Sequence, residues 1–119
     1  MDLEEFNRRW LAAWSAKDVP ALLSMYADDV AYFDPQVPNG VHGSKALGAY
    51  LTGLFAATPP MRYDPEKVWL TDEGFCGRWY CVVGDDPNAA PAMRGFDLCV
   101  MKEGRIVLNE VYVHPLTAA

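Results

Sequence analysis

Apolar positions recur three or four residues apart from Leu3 through Phe6, Trp10, Ala13 and Trp14, while Glu4, Arg8, Arg9 and Lys17 fall on other faces. That period predicts an amphipathic first helix. Asp18 is placed to cap a short second helix, because Pro20 suits a first turn and Leu22, Leu23 and Tyr26 supply a buried side before the acidic pair Asp28 and Asp29. Residues 30–34 mix β-branched and aromatic side chains and stop at Pro35, which predicts a short strand followed by a loop, PQVPNGVHG. Gly43 and Ser44 then open a third helix whose inner face is Ala46, Leu47, Tyr50, Leu51, Leu54 and Phe55, ending before Pro59 and Pro60. Beyond it the pattern changes to strand-like runs at 67–71, 75–83, 93–101 and 106–113. Turn signals separate them at Asp72, Glu73 and Gly74, at GDDPNAAP, and at Lys102, Glu103 and Gly104.

Helices first and an antiparallel meander afterwards predict an α+β layer fold, a single domain over 1–119 with helices covering one face of a curved sheet. The 119 residues are enough for one continuous core. The 4 Trp, 6 Tyr and 5 Phe exceed what packing alone needs, which favours a cavity for a flat or polycyclic apolar molecule. A formal net charge of −6, with the basic residues dispersed, argues against nucleic acid and anionic membranes as partners. Cys76, Cys81 and Cys99 lie in apolar runs without a CxxC pair and read as reduced core thiols. The acidic start MDLEEF and the absence of a long apolar run lead to an expected cytoplasmic location.

Two carboxylates stand out chemically. Asp34 lies at a strand end beside Tyr32 and Phe33, where a carboxylate can enter a pocket and keep partial hydration. Asp97 lies mid-strand among Gly95, Phe96, Leu98, Cys99 and Val100, where burial without a cation would keep it protonated to higher pH. The plain alternatives are an Asp-Pro turn for Asp34 and an ion pair with Arg78 or Arg94 on the outer sheet face for Asp97. Tyr32 shares the face of Asp34. Asn109 is a polar residue among Val107, Leu108, Val111 and Val113, which must find a partner if buried and is otherwise an edge amide bonded to backbone. Trp10, Trp14, Tyr50, Phe55, Trp79 and Met101 are candidate pocket walls. His42 and His114 share no ligand spacing with the cysteines, so no metal site is expected. No Gly-rich phosphate loop, GxSxG elbow or Cys-His pairing calls for a cofactor or for acyl chemistry.

The segments YADDVAYFDP at 26–35 and RGFDLCVMKEGRIV at 94–107 resemble those of ketosteroid isomerase, within the NTF2-like and SnoaL-like superfamily. The resemblance runs from Phe6 to Val113. It implies a cone-shaped fold of three N-terminal helices on a curved, mostly antiparallel sheet, and a homodimer. It assigns Asp34 as general base and Asp97 as the protonated acid that supports an enolate oxygen. Trp10 stands where the family carries its main oxyanion tyrosine, Tyr26 matches a second tyrosine found in some members, and Asn109 matches an inward-facing position. The implied activity is cofactor-free proton transfer within an apolar ketone. The alternatives are a non-catalytic hydrophobic-ligand or dimerisation module, a polyketide cyclase, and an epoxide hydrolase. The last usually spaces Arg and Asp two apart, whereas Arg94 and Asp97 are three apart.

Overall fold

The computed structural model describes residues 1–116. Helix α1 (Leu3–Ser15) begins where the Asp2 carboxylate accepts the Glu5 amide at 3.1 Å, and Glu4 and Glu5 complement the helix dipole. Lys17, in the left-handed region at φ 54°, turns the corner into α2 (Val19–Met25), which Asp18 caps through the Ala21 amide at 3.1 Å. Helix α3 (Ser44–Ala57) starts at Gly43 and ends without a left-handed cap of its own. Its last carbonyls are met instead by the Lys17 ammonium, 3.1 Å from the Phe55 oxygen and 2.6 Å from that of Thr58. One side chain therefore ties the α1–α2 corner to the end of α3.

Six strands, β1 (Tyr26–Asp34), β2 (Val37–His42), β3 (Met61–Leu70), β4 (Gly74–Val83), β5 (Met93–Lys102) and β6 (Arg105–Pro115), form one sheet in the order β2-β1-β6-β5-β4-β3. Every neighbouring pair is antiparallel except β1 and β6, which run parallel because the chain crosses from one half of the sheet to the other through α3 and the meander. The β5–β6 turn needs two residues at positive φ, Glu103 and Gly104, as a two-residue hairpin of the right-handed twist demands. The helices cover one face. The other face carries Trp69, Phe96 and Tyr112 in partial or full exposure.

The α+β layer class read from the sequence is observed, with three corrections. The segment expected as a loop holds β2, because the Asp34 carboxylate gathers the Gln36 and Val37 amides and folds the chain back as a hairpin. Of the prolines that suggested a loop, Pro35 falls in the turn and Pro38 is tolerated on this edge strand. The third helix is therefore not part of an N-terminal block; it follows two strands. Strand β1 begins at Tyr26 rather than residue 30, and β3 begins at Met61 rather than 67, with a bulge between Pro65 and Lys67 that hides its alternation.

Candidate active site

The inner face of the sheet is set by alternation. On β5, Gly95, Asp97 and Cys99 are buried between more exposed neighbours; Trp79 and Cys81 on β4 and Asn109 on β6 are buried likewise. Packed against this face, α1 and the end of α3 leave a cavity of about 350 Å³. Trp10, Trp14, Tyr32, Phe55, Tyr63 and Trp79 supply its aromatic lining, and Asp34 and Asp97 both open into it. A glycine at 95 is what admits one of these walls: a Cβ there would lie 2.0 Å from the Trp79 ring.

Asp97 is 2% exposed. Its Oδ2 accepts the Trp79 indole N–H at 2.5 Å, and its Oδ1 accepts an N–H of Asn109 at 3.0 Å. Asn109 is in turn fixed by Tyr26, whose hydroxyl donates to the amide oxygen at 2.8 Å. No cation answers the carboxyl among the described residues. Arg78 bridges Glu66 at 2.8 Å and Arg94 meets the His114 ring at 2.8 Å, both on the opposite face. The ion pair with either arginine is thus absent, and so is the Arg94–Asp97 pairing that epoxide opening would use. Burial pushes the Asp97 carboxyl up from 3.8 to about 7, against the smaller downward pull of the Asn109 and Trp79 bonds.

Asp34 is held in the opposite manner. Its Oδ2 accepts the hydroxyls of Tyr32 at 2.8 Å and Tyr50 at 2.7 Å, and its Oδ1 accepts the amides of Gln36 at 2.7 Å and Val37 at 3.1 Å. Four donors fill the four acceptor positions of the carboxylate. Both tyrosine hydroxyls are held well above their ordinary acidity range, by burial first; the neighbouring Asp34 charge adds to this in each.

Of the residues singled out in the sequence, Trp10, Trp14, Tyr32, Asp34, Phe55, Trp79 and Asp97 line the cavity. Tyr26 and Asn109 do not. They lie behind the wall, bonded to each other and, through Asn109, to Asp97. Tyr50 reaches Asp34 without lining the cavity, and Met101 packs on the core away from it. Pleat direction alone could not separate these shells, because cavity wall and solid core share one sheet face.

Tyr63 is the residue the sequence reading missed. It lines the cavity on β3, and its hydroxyl has one bond, to the Met61 sulfur at 3.4 Å. Burial first, then the neighbouring Cys81, Asp97 and Asp34, push its pKa well above the ordinary tyrosine range. The signal that could have found it was strand alternation carried upstream of Pro65. Lys17 also borders the cavity, with its ammonium committed to Phe55 and Thr58 oxygens. No group of three His, Cys, Asp or Glu able to hold a metal forms among the described residues, and no helix there is long and apolar enough to cross a membrane.

Helices on a curved six-stranded sheet around an aromatic hollow with a buried acid define the NTF2-like, ketosteroid isomerase-like class of fold. The chain belongs to the SnoaL-like family: its residues 7–109 match the SnoaL-like domain. Among solved structures, it is similar to a SnoaL-like protein of unknown function from Burkholderia thailandensis, with a TM-score of 0.79 and 18% identity over 94% of both chains. It is also similar to an NTF2-like protein of unknown function from Burkholderia pseudomallei, with a TM-score of 0.79 and 19% identity over 96% of this chain and 92% of that one. A third is a protein of ketosteroid isomerase-like fold from Catenulispora acidiphila in complex with trimethylamine, with a TM-score of 0.75 and 17% identity over 94% of this chain and 86% of that one. No curated protein matches the sequence.

Proposed function

We propose that the cavity is the active site of an enzyme that moves a proton within an apolar ketone, and that Asp97 carries the proton. The observation that supports this most is a carboxyl 2% exposed, facing an aromatic cavity and held only by neutral donors, so that burial pushes it up to about 7. Such a group takes and returns a proton near neutral pH with little loss in either direction. In the forward step the Asp97 carboxylate removes a proton from the carbon beside the carbonyl. The C–H electron pair becomes the C–C double bond of an enolate, and the charge moves to oxygen. Tyr63 O–H is the donor suited to that oxygen, since its one partner is a thioether. Asp97 then returns the proton to the same or another carbon. Aldol-type cyclisation passes through the same enolate and would use the same groups.

This reading divides the labour differently from the family resemblance, which makes Asp34 the base. A carboxylate with four donors must give up a hydrogen bond to accept a proton. Asp34 instead fixes Tyr32, Tyr50 and the β1–β2 turn at the cavity edge. The test is deuterium uptake from heavy water into neutral enolisable ketones, an unsaturated ketosteroid among them, by wild type, Asp97→Asn and Asp34→Asn. The expected result is loss of uptake in Asp97→Asn. Equal uptake by wild type and Asp97→Asn removes the reading.

A second reading keeps the cavity and drops the chemistry: a binding module for a small organic amine. The trimethylamine complex of the Catenulispora relative favours it, as do aromatic faces beside a carboxyl with no cation. The two readings separate by pH. Affinity for an ammonium ion rises as Asp97 ionises through about pH 7, whereas a neutral ligand gains nothing from that charge. A homodimer through the outer sheet face belongs to either reading; Trp69, Phe96 and Tyr112 there are 36%, 39% and 59% exposed. Sedimentation showing only monomer at high concentration would remove it.

A further inference from the structure

We infer that Tyr26 is a positioning residue, acting on Asp97 through Asn109 by fixing which end of the amide the carboxyl meets. The inference rests on the reading that Asp97 carries the proton, and it deepens that reading. A primary amide offers two chemically opposite ends. Its NH2 donates to a carboxylate and stabilises it, while its carbonyl can only accept, which suits the protonated acid. The Asn109 oxygen takes the Tyr26 hydroxyl at 2.8 Å, so its nitrogen faces Asp97 Oδ1 at 3.0 Å, with Cys99 Sγ at 3.7 Å beside it.

Tyr26 sends its proton to Asn109 alone. It is fully buried; Cys99 and Asp97 act on its hydroxyl through their charges but accept no bond from it, and the Trp10 and Trp14 indoles only donate. A reversed amide would set its NH2 against the hydroxyl, leave the phenol proton without an acceptor, and turn a carbonyl toward the carboxylate. Both faults vanish in the observed arrangement. The lock therefore holds Asp97 in the form able to act as a base, working against the desolvation that favours the acid.

The groups around Asp97 leave that task to neutral donors. Asn7 of α1 packs over Gly77, the cross-strand neighbour of Asp97. Tyr26 on β1, Tyr63 on β3, Cys76 on β4 and Cys99 on β5 all feel the Asp97 charge, and none is cationic. Asp34 and Lys17 border the same cavity, Asp34 with four donors and Lys17 with its ammonium committed to α3. Arg78 and Arg94 lie on the other face.

The test is a carbon-13 NMR titration of the Asp97 carboxyl in the free protein, for wild type, Tyr26→Phe, Asn109→Leu and the double variant, with circular dichroism confirming the fold of each. The expected result is a midpoint raised by about one pH unit in Tyr26→Phe, a tenfold gain in proton affinity. It should rise at least as far in Asn109→Leu, with no further rise when both changes are combined. An unchanged midpoint in Tyr26→Phe, or an equal rise on top of Asn109→Leu, overturns the proposal. In the unaltered protein the Asn109 side-chain NH2 resonances should move with the Asp97 midpoint, and resonances indifferent to it overturn the proposal without any substitution. Because proton binding is read without substrate, a protein that turns over no ketone yet shows the raised midpoint loses the reaction and keeps the lock.

Discussion

The two carboxylates that share the cavity are built on opposite plans. Asp34, at the β1–β2 turn, has four donors, two of them backbone amides of its own turn, so its geometry follows from local chain reversal as much as from the cavity. Asp97, mid-strand and enclosed, has two donors, both side chains, from β4 and β6. The donors of a saturated carboxylate fix its geometry, whereas one held by two neutral donors keeps acceptor positions open, and the proposed chemistry uses the second.

The sharpest way to break that contrast is to neutralise each carboxyl. Asp97→Asn should lower deuterium exchange into the ketone by about 10²–10⁴-fold, the usual contribution of a general base, while Asp34→Asn should cost about tenfold or less. In wild type the exchange rate at low ketone concentration should climb as Asp97 ionises and level off above about pH 7.

Next comes stability. The folded-state midpoint of about 7 exceeds the ordinary 3.8, so the native protein holds a proton that the unfolded chain releases. That contribution is complete below about pH 4 and is lost as pH rises through 7. Asp97→Asn should accordingly gain on wild type with rising pH, by on the order of 4 kcal/mol at pH 8, read from denaturant unfolding at several pH values. A pH-independent difference would mean that the carboxyl is not strained by burial.

Gly95→Ala attacks the wall that holds the deep carboxyl. With a Cβ 2.0 Å from the Trp79 ring, the indole must shift and its bond to Asp97 must go, for a loss of roughly 2–3 kcal/mol. The smallest effect falls at the turn: Tyr50→Phe removes one of four donors to Asp34 and should cost about 1 kcal/mol, with the Asp97 titration unchanged. A displaced Asp97 midpoint in that variant would show the two ends of the cavity to be coupled.

Much of the fold could be read from periodicity. Phe6, Trp10 and Trp14 predicted α1 and its buried stripe, and Asp18 with Pro20 predicted the start of α2, because both signals lie within one or two helical turns. Strand β2 and the first half of β3 were illegible. Their prolines and glycine resemble loop chemistry, and only the edge positions of those strands make such residues tolerable. For the site, the sequence suggested burial for Asp97 while leaving an ion pair on the outer face open, and it placed Asn109 inward through the family resemblance. It could not say that Asn109 would spend both ends of its amide on protein, nor that Tyr63 would meet the cavity from beyond a bulge.

The sequence by itself determined the buried stripes of the helices and that one acid would sit in apolar company, because burial at period 3.6 or 2 is a property of the local chain. What each acid would do was decided only when distant strands were brought together. Asp97 finds Trp79 18 residues away and Asn109 12 residues away, and Tyr26 reaches Asn109 across 83. A carboxyl's protonation depends on the donors and solvent within a few ångströms of it, and only folding sets those.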